Sequence, residues 1–491
     1  MARRRWSDEI PIKFGPASNG EILVPPTTAA QREAQRRILA EADVLARRLG
    51  TTRRQFLSTI CGSALSLTVL AACAKEEQAA GSPSSSTTTT EPGGTFSLPP
   101  SSTTEPEAAA EVLAGPEPVF DVQTHLLDFD LSEPEPSRFF GSTFPQVECG
   151  LDDARECFMV DQFLEDVFIR SDTTAIVLSA LPAYGAANPL TLEHMVMTRT
   201  LVQALCDDER VFVQGQGAPH VGDPAAALAA MDAVMADHPD LVAWKVYTHN
   251  PDGFFLDDHD PNRAPLGTDF IRRAVDGGVP VIAVHKGLSG NHPAASPVDI
   301  GPAALRHPDC SFLVYHSGLE TNVAEGPFDP AAPNGGVDRL VASLRDAGVG
   351  PGRNVYAELG STWRFIMSRP EQAAHVLGKL LVACGPDNVL WGTDSIWYGA
   401  PQDQIEAFRA FEISEEFQET YGYPALTAEV KTKILGGNAA RLHGVDLSTM
   451  PCAFTREELR AVRESVPIVH ATRGPTDRDD IAMHLAAHGA W

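Results

Sequence analysis

The 491-residue sequence lacks the features that mark several common protein classes. It has 38 basic against 65 acidic residues, and an acidic chain offers no basic stripe for a nucleic-acid backbone. Its eight cysteines include no C-x-x-C pair, so a zinc ribbon is excluded. No G-x-G-x-x-G follows a strand-like run, so a Rossmann domain has no support. These absences point away from nucleic acids, structural zinc and dinucleotides.

The N-terminal region of the chain is basic, whereas the rest of the chain is acidic. Residues 1–54 carry 11 bases and 6 acids, whereas the whole chain has a formal charge of −27. Arg53 and Arg54 lie in the motif T-R-R-Q-F-L, which is typical of a twin-arginine export signal. An uncharged run follows and ends in L-A-A-C, where Cys73 resembles the lipidated cysteine of a bacterial lipoprotein. These features predict export by the twin-arginine machinery and a lipid anchor at the outer face of the cytoplasmic membrane.

Two other fates of the uncharged run stay open. About 20 apolar residues can span a bilayer as an uncleaved helix, and the same run could instead form a buried helix. A stretch rich in Ser, Thr and Pro comes next and predicts a disordered linker. The predicted organisation has four parts. They are a basic region with its signal (1–73), the linker (74–118), a globular domain (119–445) and a tail (446–491) with helical patterns at 455–465 and 479–488.

Short apolar runs alternate with amphipathic helical patterns beyond residue 118. This alternation is typical of an α/β fold with a parallel sheet and helical crossovers. Eight such repeats favour a (β/α)8 TIM-type barrel over an open sheet. The predicted strands are 119–125, 174–181, 211–217, 242–248, 279–285, 311–316, 354–359 and 389–393.

Six of the predicted strands have an ionisable residue at or near their carboxyl end. In such barrels the carboxyl ends of the strands form the active site. Burying several ionisable groups together is unfavourable unless a metal or a substrate organises them. The sequence therefore predicts a site made of His125, Lys245, His285, His316, Glu358 and Asp394.

Five short motifs in this region carry a family resemblance. They are D-V-Q-T-H at 121–125, A-V-H-K-G at 283–287, V-Y-H-S-G at 314–318, L-W-G-T-D-S at 390–395 and G-N-A-A-R-L at 437–442. In these motifs the chain resembles the amidohydrolase-related group of the amidohydrolase superfamily, which also contains non-oxidative decarboxylases. The resemblance covers roughly residues 119–445.

The resemblance implies one divalent metal ion, with zinc favoured and manganese the alternative. It assigns His125, His285 and Asp394 as ligands, and three protein ligands leave positions open for chemistry. Gln123 replaces a histidine of the family motif, and a neutral amide oxygen is a weaker ligand than imidazole. Gln123 could still coordinate, could bond to a metal-bound water, or could mark a site without metal. Glu358 is either a further ligand or an acceptor that orients one.

The resemblance also implies roles for the remaining polar residues. Asp394 would serve as general base and His316 would polarise the scissile group. Lys245 would neutralise a substrate carboxylate, although a structural ion pair is an equal alternative. Trp363, Trp397 and His249 are candidate walls of the substrate pocket, with core packing or solvent exposure as their alternatives.

The favoured function is a metal-dependent hydrolase that cleaves a C–N or C–O bond of a small molecule. A non-oxidative decarboxylase is the alternative, for which Lys245, Lys286 and Arg364 would supply cations near the metal. A lipid-anchored binding protein on a barrel without metal is a third possibility. A homo-oligomer is compatible with each of them.

The cysteines of the predicted domain do not form a regular framework. Cys149 and Cys157 could pair in an oxidising compartment. Cys206, Cys310 and Cys384 lie in apolar runs, and we expect them to be buried free thiols.

Overall fold

The centre of the structure is an eight-stranded parallel sheet whose strands pair in chain order. The computed structural model describes residues 10–81, 92–129, 131, 144, 147, 149–184, 188–249, 253–258, 265–289, 292–331, 333, 335–450 and 452–465. A short strand, β1 (Gly94–Phe96), precedes the sheet. The sheet consists of β2 (Val119–Thr124), β3 (Thr173–Leu178), β4 (Val211–Gly217), β5 (Ala243–Tyr247), β6 (Val281–His285), β7 (Ser311–Tyr315), β8 (Val355–Glu358) and β9 (Val389–Leu390).

The sheet closes on itself between its first and last strands. Thr124 forms a parallel bridge with Ser395, and the Asp394 N–H donates to the Gln123 carbonyl at 2.9 Å. The Asp121 carboxylate accepts the Thr393 N–H at 3.0 Å and the Thr393 hydroxyl, which ties the two ends of the sheet together. The predicted (β/α)8 barrel is thereby confirmed.

Helices surround the barrel in the order expected from the alternating pattern. Side chains cap the N-termini of several of these helices. The Thr191 hydroxyl accepts from the His194 N–H, and the Asp223 side chain accepts from the Ala226 N–H. Among the described residues, four helices precede the barrel: α1 (Ala29–Arg48), α2 (Arg53–Leu57), α3 (Ile60–Gly81) and α4 (Pro106–Leu113). Those that follow are α5 (Val160–Leu164), α6 (Leu192–Cys206), α7 (Pro224–Asp237), α8 (Leu266–Asp276), α9 (Ile300–Arg306), α10 (Asp338–Ala347), α11 (Thr362–Ile366), α12 (Pro370–Cys384), α13 (Gln402–Ala410), α14 (Glu415–Tyr421), α15 (Ala428–Thr432), α16 (Asn438–His443) and α17 (Arg456–Ser465).

The predicted export signal lies in α2 and α3. Leu65, Leu67 and Leu70 of α3 are buried, and α3 packs against α1, α4, β1 and two of the barrel helices. This is the buried-helix alternative for the uncharged run, and Cys73 is half-buried within it. Within the described ranges, none of the helices combines the length and hydropathy needed to cross a bilayer.

Part of the predicted disordered linker is folded. Residues 94–96 form β1, which pairs antiparallel with β10 (Phe411–Ile413), and 106–113 form α4. The linker prediction is therefore wrong for these residues, because Phe96 and Leu113 bury apolar side chains that the polar composition of the stretch conceals. Residues 82–91 of the same stretch lie outside the described residues.

The tail and the cysteines give three agreements and one correction. α17 occupies the first predicted tail helix and packs on α6, while the second, 479–488, lies outside the described residues. Cys149 and Cys157 form the suggested disulfide. Cys206 is not a free thiol, because the tail returns to α6 and places Cys452 in a disulfide with it. Cys310 and Cys384 are buried free thiols, as expected.

Candidate active site

The six predicted site residues converge at the carboxyl ends of the barrel strands. His285 and Glu358 end strands, and Lys245 lies within β5. His125 and His316 directly follow β2 and β7, and Asp394 lies in the loop after β9. Each is at most 2 % exposed. The members of this cluster are His125, Lys245, His285, His316, Glu358 and Asp394.

Hydrogen bonds fix the protonation of two histidines. Nδ1 of His125 lies 2.7 Å from the Ser179 carbonyl oxygen, and Nδ1 of His316 lies 2.8 Å from the Gly360 carbonyl oxygen. A carbonyl oxygen only accepts, so each Nδ1 carries the proton. In the neutral imidazole, Nε2 is then a lone pair available to a proton or a metal.

His125 Nε2 faces a carboxylate oxygen directly. It lies 3.2 Å from Asp394 Oδ1. Two acceptor atoms at this distance repel each other unless a proton or a cation lies between them. The arrangement is therefore stable with an imidazolium or with a shared metal ion.

Asp394 is held as an ionised carboxylate by its neighbours. Gln123 Nε2 donates to Oδ1 at 3.2 Å, and Trp397 Nε1 donates to the same oxygen at 3.1 Å. The Ser361 hydroxyl donates to Oδ2. Burial raises the pKa of Asp394, but the hydrogen bond from His125 and the charges of His125 and His316 outweigh it and lower the pKa overall.

His316 presents a lone pair to the site rather than a proton. Burial lowers its pKa to about 4, and the charge of Asp394 offsets this only in part. With Nδ1 protonated, Nε2 can accept a proton or bind a cation. The predicted role of polarising a scissile carbonyl needs the imidazolium form, which this environment disfavours.

Lys245 is a buried cation in this cluster. Its Nζ has no hydrogen-bond partner among the described residues and lies 3.8 Å from the centre of the Tyr315 ring. Burial lowers the pKa of Lys245 to about 7, opposed by the negative charges of Glu21, Asp394 and Glu358. The structural ion pair considered for this lysine is not present in the described part of the chain.

The Glu358 carboxylate is engaged by backbone donors. Its Oε2 accepts the His316 N–H at 3.1 Å and its Oε1 accepts the Gly360 N–H at 2.5 Å. Burial raises the pKa of Glu358 well above its usual range. Glu358 thus orients the turns that carry His316 and Gly360.

The three candidate pocket residues have different surroundings. The Trp397 ring stacks on His125 with centroids 5.9 Å apart and borders the site. The His249 ring lies 4.8 Å from that of His285. Trp363 is in the core instead, where Nε1 donates to the Gln404 carbonyl at 2.9 Å, because α11 turns it away from the barrel mouth.

The further cations suggested for a decarboxylase are bonded to groups other than the predicted site residues. Lys286 Nζ lies 2.8 Å from Asp299 Oδ1 and donates to the Ala294 carbonyl. Arg364 donates to the Gly15 carbonyl at 3.0 Å. Lys245 is therefore the member of the suggested set that faces the site.

Two site residues that the sequence did not reveal come from the N-terminal segment 10–22. Asn19 Nδ2 donates to Glu21 Oε2 at 2.7 Å and to Asp394 Oδ2 at 3.0 Å. Glu21 Oε1 lies 3.4 Å from His285 Nε2. Burial and the charge of Asp394 raise the pKa of Glu21 well above its usual range. The apolar alternation of Ile10, Ile12 and Phe14 was the available signal, within a stretch that charge assigned to targeting.

Fold and site together define a class of protein: a (β/α)8 barrel with a buried cluster of histidines and carboxylates at the carboxyl ends of its strands. The profile of the amidohydrolase family matches residues 121–445, about two thirds of the sequence. The chain belongs to the amidohydrolase family. No curated protein matches it.

Several solved structures are similar to this chain at low sequence identity. A 5-carboxyvanillate decarboxylase from Sphingomonas paucimobilis is 15% identical and aligns over 67% of this chain and 99% of its own, with a TM-score of 0.39. A 4-oxalomesaconate hydratase from Rhodopseudomonas palustris is 14% identical over 71% of this chain and 98% of its own, with a TM-score of 0.39. A dihydroxybenzoic acid decarboxylase from Polaromonas sp. JS666, with bound manganese and an inhibitor, is 13% identical over 67% and 97%, with a TM-score of 0.38. At these values the chemistry has to be argued from the site itself.

Proposed function

We propose that the protein is a metal-dependent hydrolase that cleaves a C–N or C–O bond of a small molecule at the barrel mouth. The observation that carries the proposal is the approach of His125 Nε2 to Asp394 Oδ1, at 3.2 Å. A lone pair and an ionised carboxylate held this close in a buried site are suited to share a divalent cation.

Buried imidazole and carboxylate donors at the barrel mouth fit such a cation. We propose His125, His285 and Asp394 as its ligands: His125 and Asp394 approach each other directly, and His285 belongs to the buried group Glu21, His285 and His316, whose ligand atoms lie within 4.8 Å of one another. Imidazole with carboxylate suits zinc, with manganese as the alternative. Gln123 Oε1 is buried and has no hydrogen-bond partner among the described residues. Because Gln123 Nε2 is fixed on Asp394, this oxygen is left for the cation or for a water molecule.

A bound divalent cation supplies Lewis acidity and lowers the pKa of coordinated water. The chain's own residues would provide proton transfer and binding. Asp394 would accept a proton from the attacking water, because hydrogen bonds from Gln123, Trp397 and Ser361 stabilise its ionised form. Lys245 would bind a substrate anion, and Trp397 with His249 would border the substrate.

Lys245 also supports the second candidate function, a non-oxidative decarboxylase. A buried ammonium without a hydrogen-bond partner is suited to a substrate carboxylate. In a decarboxylase that carboxylate would be the group removed, whereas in a hydrolase it would be a remote handle.

The metal content of the purified full-length chain tests the metal. We expect about one equivalent of zinc or manganese, lost in a His125→Ala/Asp394→Ala double variant. A metal-free parent that folds like the variant would contradict a metalloenzyme and favour a binding protein. Assays with esters, lactones, amides and carboxylated phenols then separate hydrolysis from loss of carbon dioxide.

Export and lipidation remain a prediction from the sequence. The two disulfides are compatible with an oxidising compartment. Labelling of cells with a lipid precursor tests the anchor, and we expect the label to disappear in Cys73→Ala. A label that persists in this variant, or that is missing in the parent, would contradict the prediction.

A further inference from the structure

The N-terminal segment 10–22 is built into the mouth of the barrel. Ile12 and Phe14 are each 1 % exposed. The Lys13 ammonium donates to the carbonyl of Tyr398 at 2.7 Å and to that of Ala400 at 2.7 Å. The Lys13 N–H donates to Asp403 at 2.9 Å. These contacts fix the segment on the loop that follows Asp394.

A tight turn within this segment aims Glu21 at the site. The Ser18 hydroxyl donates to the Ile22 carbonyl at 2.6 Å and accepts the Gly20 N–H at 2.9 Å. Gly20 has a φ of +92°, which glycine adopts without strain. The Glu21 N–H donates to the Asn19 side-chain oxygen at 3.1 Å, and Asn19 Nδ2 donates to Glu21 Oε2 at 2.7 Å, so that both side chains of the turn are held in place.

Glu21 enters the same group of donors as two barrel histidines. One ligand atom each from Glu21, His285 and His316 lies within 4.8 Å of the others, and all three residues are buried. Asn19 links the Glu21 carboxylate to that of Asp394 through a single nitrogen. Two carboxyl groups this close, away from water, can both be ionised only if a positive charge lies between or beside them.

We propose that Glu21 is a ligand of the metal centre, supplied from outside the barrel by the segment 10–22. Together with Asp394 it provides the negative charge that balances a divalent cation among neutral histidines. This inference rests on the proposed function, since it adds a ligand to the same centre. It makes the segment an integral part of the catalytic domain.

Metal affinity of the full-length chain tests the inference. Apo-protein is titrated with Mn²⁺ and Zn²⁺ by calorimetry and chelator competition, for the parent, Glu21→Gln and Glu41→Gln. The Gln variant keeps the size of the side chain and removes its charge, and Glu41 is an exposed glutamate of the same region. We expect the affinity to fall by about tenfold or more in Glu21→Gln and to stay unchanged in Glu41→Gln. The thermal unfolding midpoints of the three apo-proteins serve as a folding control, and equal midpoints would show that the substitutions leave the fold intact.

Three results would overturn the inference. Equal affinity in the parent and Glu21→Gln would make Glu21 a simple partner of His285, and the proposed hydrolase would stand. Tighter binding or higher activity in Glu21→Gln would make Glu21 a group that occludes the site. A parent that binds neither metal would overturn the inference and the proposed function together.

Discussion

The barrel and the N-terminal region contribute to one site, but their sequences reveal this to very different degrees. Each barrel residue of the site stands at or near the end of an apolar run, where the fold alone predicts its position. Asn19 and Glu21 belong to no such run, and their placement depends on contacts with the loop after β9. The position of a residue in a repeated local pattern can therefore be predicted from the sequence, whereas the position of a segment that packs on a distant part of the chain cannot.

We expect the largest effect, a loss of catalytic efficiency, from a substitution in the barrel. We expect Asp394→Asn to lower kcat/KM by about 10²- to 10⁴-fold, because it removes the ionised carboxylate that faces His125. Steady-state kinetics on the substrate found by the assays above measures the effect. Asp276→Asn, at an exposed helix end, serves as the control. An active Asp394→Asn would place the chemistry elsewhere.

The second-largest effect concerns stability and tests whether the N-terminal region belongs to the hydrophobic core. Leu67 of α3 is fully buried, and we expect Leu67→Ala to lower the free energy of unfolding by about 2–5 kcal/mol. Denaturant titration or the thermal midpoint measures the loss. Val44→Ala, at a position 49 % exposed on α1, should have little effect. Equal stability of the two variants would show that α3 does not belong to the folded core.

The third effect concerns the buried cation of the barrel. Lys245→Met should raise KM for carboxylated substrates by about tenfold, because a charge-assisted hydrogen bond is lost. The protonated lysine is the binding form and its pKa is about 7, so the parent's affinity should fall as pH rises through 7. The variant should lack this pH dependence, and surface Lys433→Met should retain it. A KM that is insensitive to Lys245→Met would remove the anion from the proposed substrate.

The smallest effect separates two tryptophans of similar sequence context. Trp397→Phe removes a hydrogen bond to Asp394, worth about 1 kcal/mol, so kcat/KM should fall about fivefold. Trp363→Phe loses a comparable bond to the Gln404 carbonyl and should lower stability with kinetic constants unchanged. Kinetics and thermal melting of both variants decide between these outcomes, and a reversed pattern would move Trp363 to the site.

The fold of the barrel could be predicted because its signals are local and repeated. Eight apolar runs with helices between them admit few topologies. The cluster of His125, His285 and Asp394 followed from the same rule, since parallel strands bring their carboxyl ends together. The orientation of each histidine ring could not be predicted from the sequence, because it depends on a hydrogen bond to a single carbonyl group, such as that of Gly360.

The N-terminal region could not be predicted in the same way. An uncharged run of about 20 residues suits a signal, a membrane span or a buried helix, and composition does not separate them. The choice depends on whether a complementary apolar surface exists elsewhere in the chain. The disulfide between Cys206 and Cys452 is hidden for the same reason, since 246 residues separate its partners.

The position of Cys73 within α3 sets a condition on the order of maturation. A peptidase that cuts before this residue acts on an extended segment, so this part of the helix must be unfolded when the cut is made. If the domain folds first and the helix then opens locally for the cut, residues 10–72 would stay attached only by non-covalent contacts. One of these is the hydrogen bond between Lys13 and Asp403. The product would be a nicked, two-piece protein, and release of the smaller piece would carry Glu21 away from the mouth.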